Sequence, residues 1–313
     1  MTETTELLHG AKILVTGATG QIGGAIAKGL AAANDVWCAA RFSGAGSREQ
    51  LETAGATTRV LDLADPDFSE FPDDFDYLLH LAVYQGFHGD GQRSYDYAVS
   101  VNAEATGLLL SRFRRVRAAL VMSTTGVYKP NSDVRHRYSE SDPLGDAVSV
   151  NTPTYGISKI TQEAVARFCS REFGVPLVIP RMNAAYGREG GLPAKHLAAI
   201  LEGRTIRFRS DPAPYSPIFE ADIVAQVKPL LAAATAPATI VNWGGDEVVT
   251  AQEWTAYLGE LTGRTPRTEV VPLPGSQAGI ALDVSKRLEI TGPCRTPWRT
   301  GMRAMLDARA ALT

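Results

Sequence analysis

The sequence predicts an α/β protein with a doubly wound parallel sheet, and three of its features do so. Up to about residue 180, short apolar or β-branched runs alternate with longer amphipathic stretches, the order that builds a sheet flanked by helices. The short runs are continuously apolar instead of alternating, as strands covered on both faces must be. A glycine-rich turn then joins the first such run to the first helical stretch.

Taken in order, strands are expected at Lys12 to Thr16, Asp35 to Ala40, Thr58 to Leu61, Tyr77 to Leu81, Ala119 to Ser123 and Pro176 to Pro180. Helices are expected at Ile22 to Ala33, Arg48 to Ala54, Tyr95 to Arg115 and Thr154 to Glu172. Past Arg181 the texture changes: Gly187, Gly190 and Gly191 precede a short helix near Ala194 to Glu202, and Pro212, Pro214 and Pro217 interrupt the next stretch of chain. Residues 1–181 are thus expected to form a dinucleotide-binding domain and 182–313 a smaller substrate-binding lobe, with some chain crossing back to the sheet. Within that lobe Asn242-Trp243-Gly244-Gly245 reads as a strand end with a turn. Thr250 and Glu253 read as a capping box that opens a helix to Leu261.

Composition narrows the function. A chain of 313 residues with 44% hydrophobic content can bury a sizeable core, and a net charge of -3 argues against an extended nucleic-acid footprint. The dense run of Arg112, Arg114, Arg115 and Arg117 reads as a solvated helix C-terminus. No apolar run approaches the roughly 20 residues of a membrane span. The acidic, polar start at Met1 to Glu6 is unlike a secretory signal, so a cytoplasmic address is expected. Cys38, Cys169 and Cys294 are odd in number and far apart, and the histidines are scattered, so neither a disulfide framework nor a metal site is expected.

Gly17-Ala18-Thr19-Gly20-Gln21-Ile22-Gly23 lies between a strand and a helix, the Rossmann-type context for a pyrophosphate. Gly17 suits the tight turn, Gly20 lets backbone approach the phosphates, and Gly23 allows helix and strand to pack closely. The helix starting near Gln21 and Ile22 presents free N–H groups to the anion. At the end of the second strand Arg41 stands where an NAD-specific site offers a carboxylate to the ribose hydroxyl. A guanidinium, with Ser43 and Arg48 as further donors, suits a 2'-phosphate, so NADP is preferred and NAD is the alternative. Asp62 and Leu63 fall where the adenine edge would lie, and Leu81, Ala82 and Val83 beside its ribose.

The fifth strand delivers the hydroxyls of Ser123, Thr124 and Thr125 to the rim where α/β enzymes bind ligand. Tyr155 and Lys159 fall one turn apart on one helix face. A nearby ammonium favours the phenolate, so Tyr155 suits an acid/base role toward a substrate oxygen while Lys159 holds the nicotinamide ribose. A threonine hydroxyl orients the same oxygen.

Together these residues resemble the extended short-chain dehydrogenase/reductase family, also called the NAD-dependent epimerase/dehydratase family. The resemblance rests on Thr16 to Gly23, Asp62-Leu63, His80 to Ala82, Ser123 to Tyr128, Tyr155 to Lys159 and Asn183 to Gly187. Further landmarks are Asp222-Ile223, Asn242 to Gly245 and Asp283 to Lys286. The family pattern selects Thr124 as the catalytic hydroxyl, has Asn102 support the active-site network beside the cofactor, and faces Asn183 to the substrate. It also implies a homodimer through the helices at Tyr95 to Arg115 and Thr154 to Glu172.

Nucleotide-sugar members carry an arginine ahead of the later aspartate, where it grips the diphosphate. This chain has Tyr215 at or near that place, with Arg204, Arg207 and Arg209 close by as substitutes. Three functions are compatible with these residues: an NADP-dependent alcohol/ketone oxidoreductase, slightly ahead; a nucleotide-sugar epimerase or dehydratase with retained NAD; and a non-catalytic dinucleotide sensor. The substrate is a small molecule. Its contacts are expected from Tyr84, Thr125, Asn183 and Tyr186 and from the loops Tyr84 to Arg93, Lys129 to Asn151 and Gly187 to Tyr215. Phe87, Tyr128, Tyr138, Tyr186 and Tyr215 suit a flat or apolar group.

Overall fold

Strands β1 (Lys12–Thr16), β2 (Asp35–Ala40), β3 (Thr57–Val60), β4 (Tyr77–His80), β5 (Ala118–Val121), β6 (Leu177–Met182) and β7 (Thr239–Trp243) form the central sheet in the order β7-β6-β5-β4-β1-β2-β3. The computed structural model describes residues 8–86, 95–145 and 152–310. The pairs β1·β2, β1·β4, β2·β3, β4·β5 and β5·β6 are parallel. Central strands are mostly buried, β5 and β6 at every residue, whereas Val60 on the edge strand β3 is 58% exposed. Strand order reverses between β1 and β4, the point where a doubly wound sheet opens its ligand crevice.

The accompanying helices are α1 (Gln21–Ala31), α2 (Ser47–Thr53), α3 (Tyr95–Val99), α4 (Ala105–Arg112) and α5 (Tyr155–Phe173). The single helix expected from Tyr95 to Arg115 is divided by a π-helical turn at Ser100–Glu104 and stops at Arg112. Arg115 and Arg117 lie beyond the helix and pair with Asp73 and Asp76 at 3.7 and 3.1 Å, so they serve a loop contact instead of a helix end. Leu14, Leu78, Leu109, Phe113, Val121 and Ile179 share one core, into which Phe68 and Phe75 pack edge-on against Phe113 at 5.6 Å.

Contacts divide the chain into two units. The first comprises Met1–Val127, Ser149–Arg181 and Ile223–Val241; the second Tyr128–Val148, Met182–Asp222 and Asn242–Thr313. Against the division expected at Arg181, 223–241, which runs into β7, belongs to the first unit and 128–148 to the second. That unit has its own core around Leu197, Phe208, Trp254, Trp298, Met302 and Met305. Its helix Ala251–Thr262 opens with the expected capping box of Thr250 and Glu253. Among the described residues no helix is long and apolar enough to cross a membrane.

Candidate active site

After Thr16 the chain turns through Gly17 at a φ of 71°, a left-handed conformation. A Cβ on Gly17 would stand 2.5 Å from the Ala82 backbone, and one on Gly23 would stand 2.2 Å from the Gly17 carbonyl oxygen. Glycine is required at both places because the segment after β4 and the helix α1 close on the turn from two sides. Gly20 is the exposed N-cap of α1 and brings no side chain to its first N–H groups, which suits a bound anion.

A cavity of about 200 Å³ runs along the carboxyl ends of β1 to β4. Gly17, Thr19, Gly20, Arg41, Asp62, Leu63, Leu81, Ala82, Val83 and Tyr84 line it. Ala39, Ala40, Tyr97 and Val101 line it too, and motif reading passes over them because they carry no recognisable chemistry. Gln21, Ile22, Gly23 and Ser43 are not in its walls; Gly23 is buried and Ser43 is exposed. Arg41 is exposed and, among the described residues, pairs with no carboxylate. Arg48 does not join it: its Nε donates to Thr58 Oγ1 at 2.8 Å, it pairs with Glu52 at 3.4 Å, and it lies over the Phe42 ring. These features fit a dinucleotide: the glycine turn could hold an anion and Arg41 offers the cavity a guanidinium.

Tyr155 is the first residue of α5 and Lys159 comes one turn later. The Tyr155 phenol shares a hydrogen bond with Thr124, whose Oγ1 accepts the Gly126 N–H at 3.1 Å. Gly156 allows this approach: a Cβ there would stand 3.2 Å from the Gly126 carbonyl, closer than such contacts ordinarily come. Burial pushes the phenol above its ordinary range, and the Thr124 hydrogen bond pulls it partly back. Burial brings the Lys159 amine down to about 7, with Glu163 opposing the fall.

Lys159 is 2% exposed; it donates to the Met122 carbonyl at 2.6 Å and to Gln162 Oε1. One turn further along α5, Glu163 accepts from Ser123 Oγ at 2.5 Å and takes Arg181 through two guanidinium nitrogens at 3.0 and 2.8 Å. The four-residue step from Lys159 to Glu163 was the one available signal for that buried group.

Asn102, in the π-helical turn, has no exposed surface. Its Oδ1 accepts the Tyr84 N–H at 2.7 Å, and its Nδ2 donates to the Tyr84 carbonyl and to Ser158 Oγ at 2.8 and 2.9 Å. It therefore braces the cavity wall against α5 instead of touching a cofactor. Thr125 is 4% exposed. In the second unit Asn183 donates to the Ile280 carbonyl at 2.8 Å and accepts the Ser216 N–H at 2.9 Å. Tyr186, expected to touch substrate, is 1% exposed in a hydrophobic core with its hydroxyl on the Trp298 carbonyl. Tyr128 and Tyr138 are likewise buried and stack on each other, and Tyr215 packs on Trp254. Apolar rings were drawn to packing because nothing in a loop sequence tells an inward ring from a pocket wall. Of the three arginines offered as substitutes, Arg204 and Arg207 are exposed and paired with Glu202 and Glu269, while Arg209 donates to the Val271 carbonyl at 3.2 Å. Phe87 lies outside the described residues, as do parts of the loops Tyr84 to Arg93 and Lys129 to Asn151. Among the described residues no group of three or more His, Cys, Asp or Glu is placed to hold a metal ion.

A dinucleotide cradle at a sheet switch point, together with a Thr–Tyr–Lys cluster at the start of α5, defines the class. Residues 13–211 match the NAD dependent epimerase/dehydratase family, and the chain belongs to it. No curated protein matches. Among solved structures, UDP-glucuronic acid 4-epimerase from Bacillus cereus, in complex with UDP-glucuronic acid and NAD, is similar with a TM-score of 0.80 at 22% identity, covering 96% of this chain and 99% of its own. UDP-N-acetylglucosamine 4-epimerase from Methanobrevibacter ruminantium, in complex with UDP-N-acetylmuramic acid, has a TM-score of 0.83 at 18% identity over 98% and 100%. dTDP-glucose 4,6-dehydratase from Bacillus anthracis, in complex with NAD, has a TM-score of 0.78 at 17% identity over 96% of both chains. At these identities the likeness establishes the Rossmann-type fold.

Proposed function

We propose that this chain is an NAD(P)-dependent nucleotide-sugar epimerase or dehydratase in which Tyr155 moves a proton to and from a sugar hydroxyl. The observation that carries it is the Thr124–Tyr155 hydrogen bond beside buried Lys159, in the same unit as the glycine cradle. The nucleotide sugar is favoured by the family match and by the UDP-sugars held in the similar epimerase structures. This reverses the order of preference drawn from the sequence, where the oxidoreductase stood slightly ahead.

The glycine turn holds the pyrophosphate, Asp62 and Leu63 the adenine edge, and Leu81 to Val83 its ribose. Bound nicotinamide supplies the hydride acceptor that side chains lack. Thr124 orients the substrate oxygen, Tyr155 accepts its proton, and Lys159 holds the nicotinamide ribose and, when protonated, favours the phenolate. The phenol, raised by burial, is well suited to give the proton back.

Arg41 favours a second reading, a net NADP-dependent oxidoreductase, since it lines the cavity without a carboxylate partner and suits a 2'-phosphate. A sensor would have no use for Thr124, Tyr155 and Lys159 in register. We also infer a homodimer through α4 and α5, where Leu108, Ile157 and Phe168 are 51, 53 and 64% exposed. A cytoplasmic site fits three free cysteines.

The test begins with the nucleotide in freshly purified protein, identified by mass spectrometry, then NADPH and NADH titrations and a UDP- and dTDP-sugar panel read by NMR. Retained NAD and a new epimer or dehydrated sugar are expected, with Tyr155→Phe about 10²- to 10⁴-fold slower and still binding dinucleotide. An empty site that takes NADPH tightly and leaves every sugar unchanged points to the second reading. Full turnover by Tyr155→Phe refutes the mechanism in either.

A further inference from the structure

Gln162 lies three residues after Lys159 and has no place in the motif, yet it is 0% exposed and bonded to the lysine. Its other end, Nε2, donates to Thr106 Oγ1 at 2.9 Å. The Thr106 hydroxyl has one proton, and it goes to the Asn102 carbonyl at 2.7 Å. Thr106 therefore only accepts from its two remaining neighbours, Gln162 Nε2 and His80 Nε2 at 2.8 Å. This fixes the amide with its carbonyl toward Lys159, since the reverse would set an NH2 group against an amine that donates.

The same count of protons fixes the other bonds. His80 carries its proton on Nε2, its Nδ1 accepts from Thr16 Oγ1 at 2.7 Å, and Thr16 Oγ1 is approached by the Ala82 N–H at 3.4 Å. Every partner is satisfied with a neutral imidazole, in keeping with burial holding His80 down at about 3. Thr16, His80, Thr106, Gln162 and Lys159 are all 2% exposed or less, so water does not compete for these bonds. One buried hydrogen-bond path thus joins the residue ahead of the Gly17 turn to the lysine of the catalytic cluster.

We propose that Gln162 is a positioning residue: its amide clamps the Lys159 amine, together with the Met122 carbonyl, and ties it through Thr106 and His80 to the mouth of the glycine turn. This rests on the proposed role of Lys159 as the holder of the nicotinamide ribose. Two of the amine's bonds are committed to neutral acceptors, Met122 O and Gln162 Oε1. With the chain of donors fixed, its protonated form keeps one N–H for a bound ribose. Charged or titratable groups near the amine are Tyr155 and Glu163 on α5, Arg181 of β6 behind Glu163, and His80 of β4.

The test is a pH titration of full-length protein labelled with carbon-13 at the lysine ε-carbon, with the Lys159 resonance identified by its loss in Lys159→Met. Gln162→Met removes an acceptor from the ammonium and is expected to lower the midpoint by about half a pH unit or more, roughly threefold in proton affinity. Gln162→Glu puts a carboxylate in its place and is expected to raise it. Thr106→Val, which frees the far end of the amide, is expected to shift it in the same direction as Gln162→Met and by less. Titration of all three variants with the wild-type midpoint would reduce Gln162 to a space-filler and overturn the proposal. Failure of the underlying role of Lys159 looks different: Lys159→Met would then bind dinucleotide and turn over substrate like the wild type, whatever the Gln162 variants do.

Discussion

Burial of Lys159 has a consequence that can be measured without a substrate. In an unfolded chain a lysine keeps its proton to about pH 10.4, whereas in the fold this amine loses it at about 7. Between those values the unfolded chain binds more protons, so this residue makes stability rise with pH; below the folded value both states are charged and the full cost of burying an ammonium is felt. Lys159→Met should therefore raise Tm more at about pH 6.5 than at about pH 9. Equal shifts at the two pH values would mean that the folded amine titrates like a free one. Tyr155 and Lys159 were legible in the sequence as a helical pair, and Thr124 through the resemblance. The bonds around Lys159 were not, because Met122, Thr106 and His80 come from stretches of chain far from α5 and meet it only in the fold.

Between β1 and α1 the spacing of glycines foretold the turn, and steric contact explains it. At Gly23 the missing side chain is replaced by the Gly17 carbonyl, 2.2 Å from where a Cβ would be. Because that neighbour is backbone, Gly23→Ala must push α1 away from β1. We expect a loss of about 1–3 kcal/mol, read as a fall in Tm, and weaker dinucleotide binding by calorimetry. Unchanged values for both would show that the helix has room the geometry denies. The π-helical turn at Ser100–Glu104 was not legible: its residues have ordinary helical periodicity, and the partner its Asn102 binds, the Tyr84 backbone, lies in a distant loop.

At the scale of the molecule, the exposed face of α5 carries Ile157, Ala164 and Phe168 at helical spacing, and α4 adds Leu108. Large apolar side chains left in water on neighbouring helices suit a self-complementary two-fold contact. Wild-type protein at micromolar concentration should sediment as a dimer, and Ile157→Glu/Phe168→Glu as a monomer that still binds dinucleotide. A wild-type monomer would remove the homodimer.

The sequence by itself determined the parallel sheet, the dinucleotide turn and the Tyr155–Lys159 pair, since each is written in local periodicity or in residues a few positions apart. It also marked the departure at Tyr215 from the arginine of nucleotide-sugar enzymes. Tertiary structure decided which hydroxyls and rings are accessible: Tyr186 went to a core and Arg48 to Thr58 and Glu52, while the Met122 carbonyl came to Lys159. Burial and hydrogen-bond partners depend on segments far apart in the chain, and a side chain's chemistry is set by what surrounds it after those segments meet.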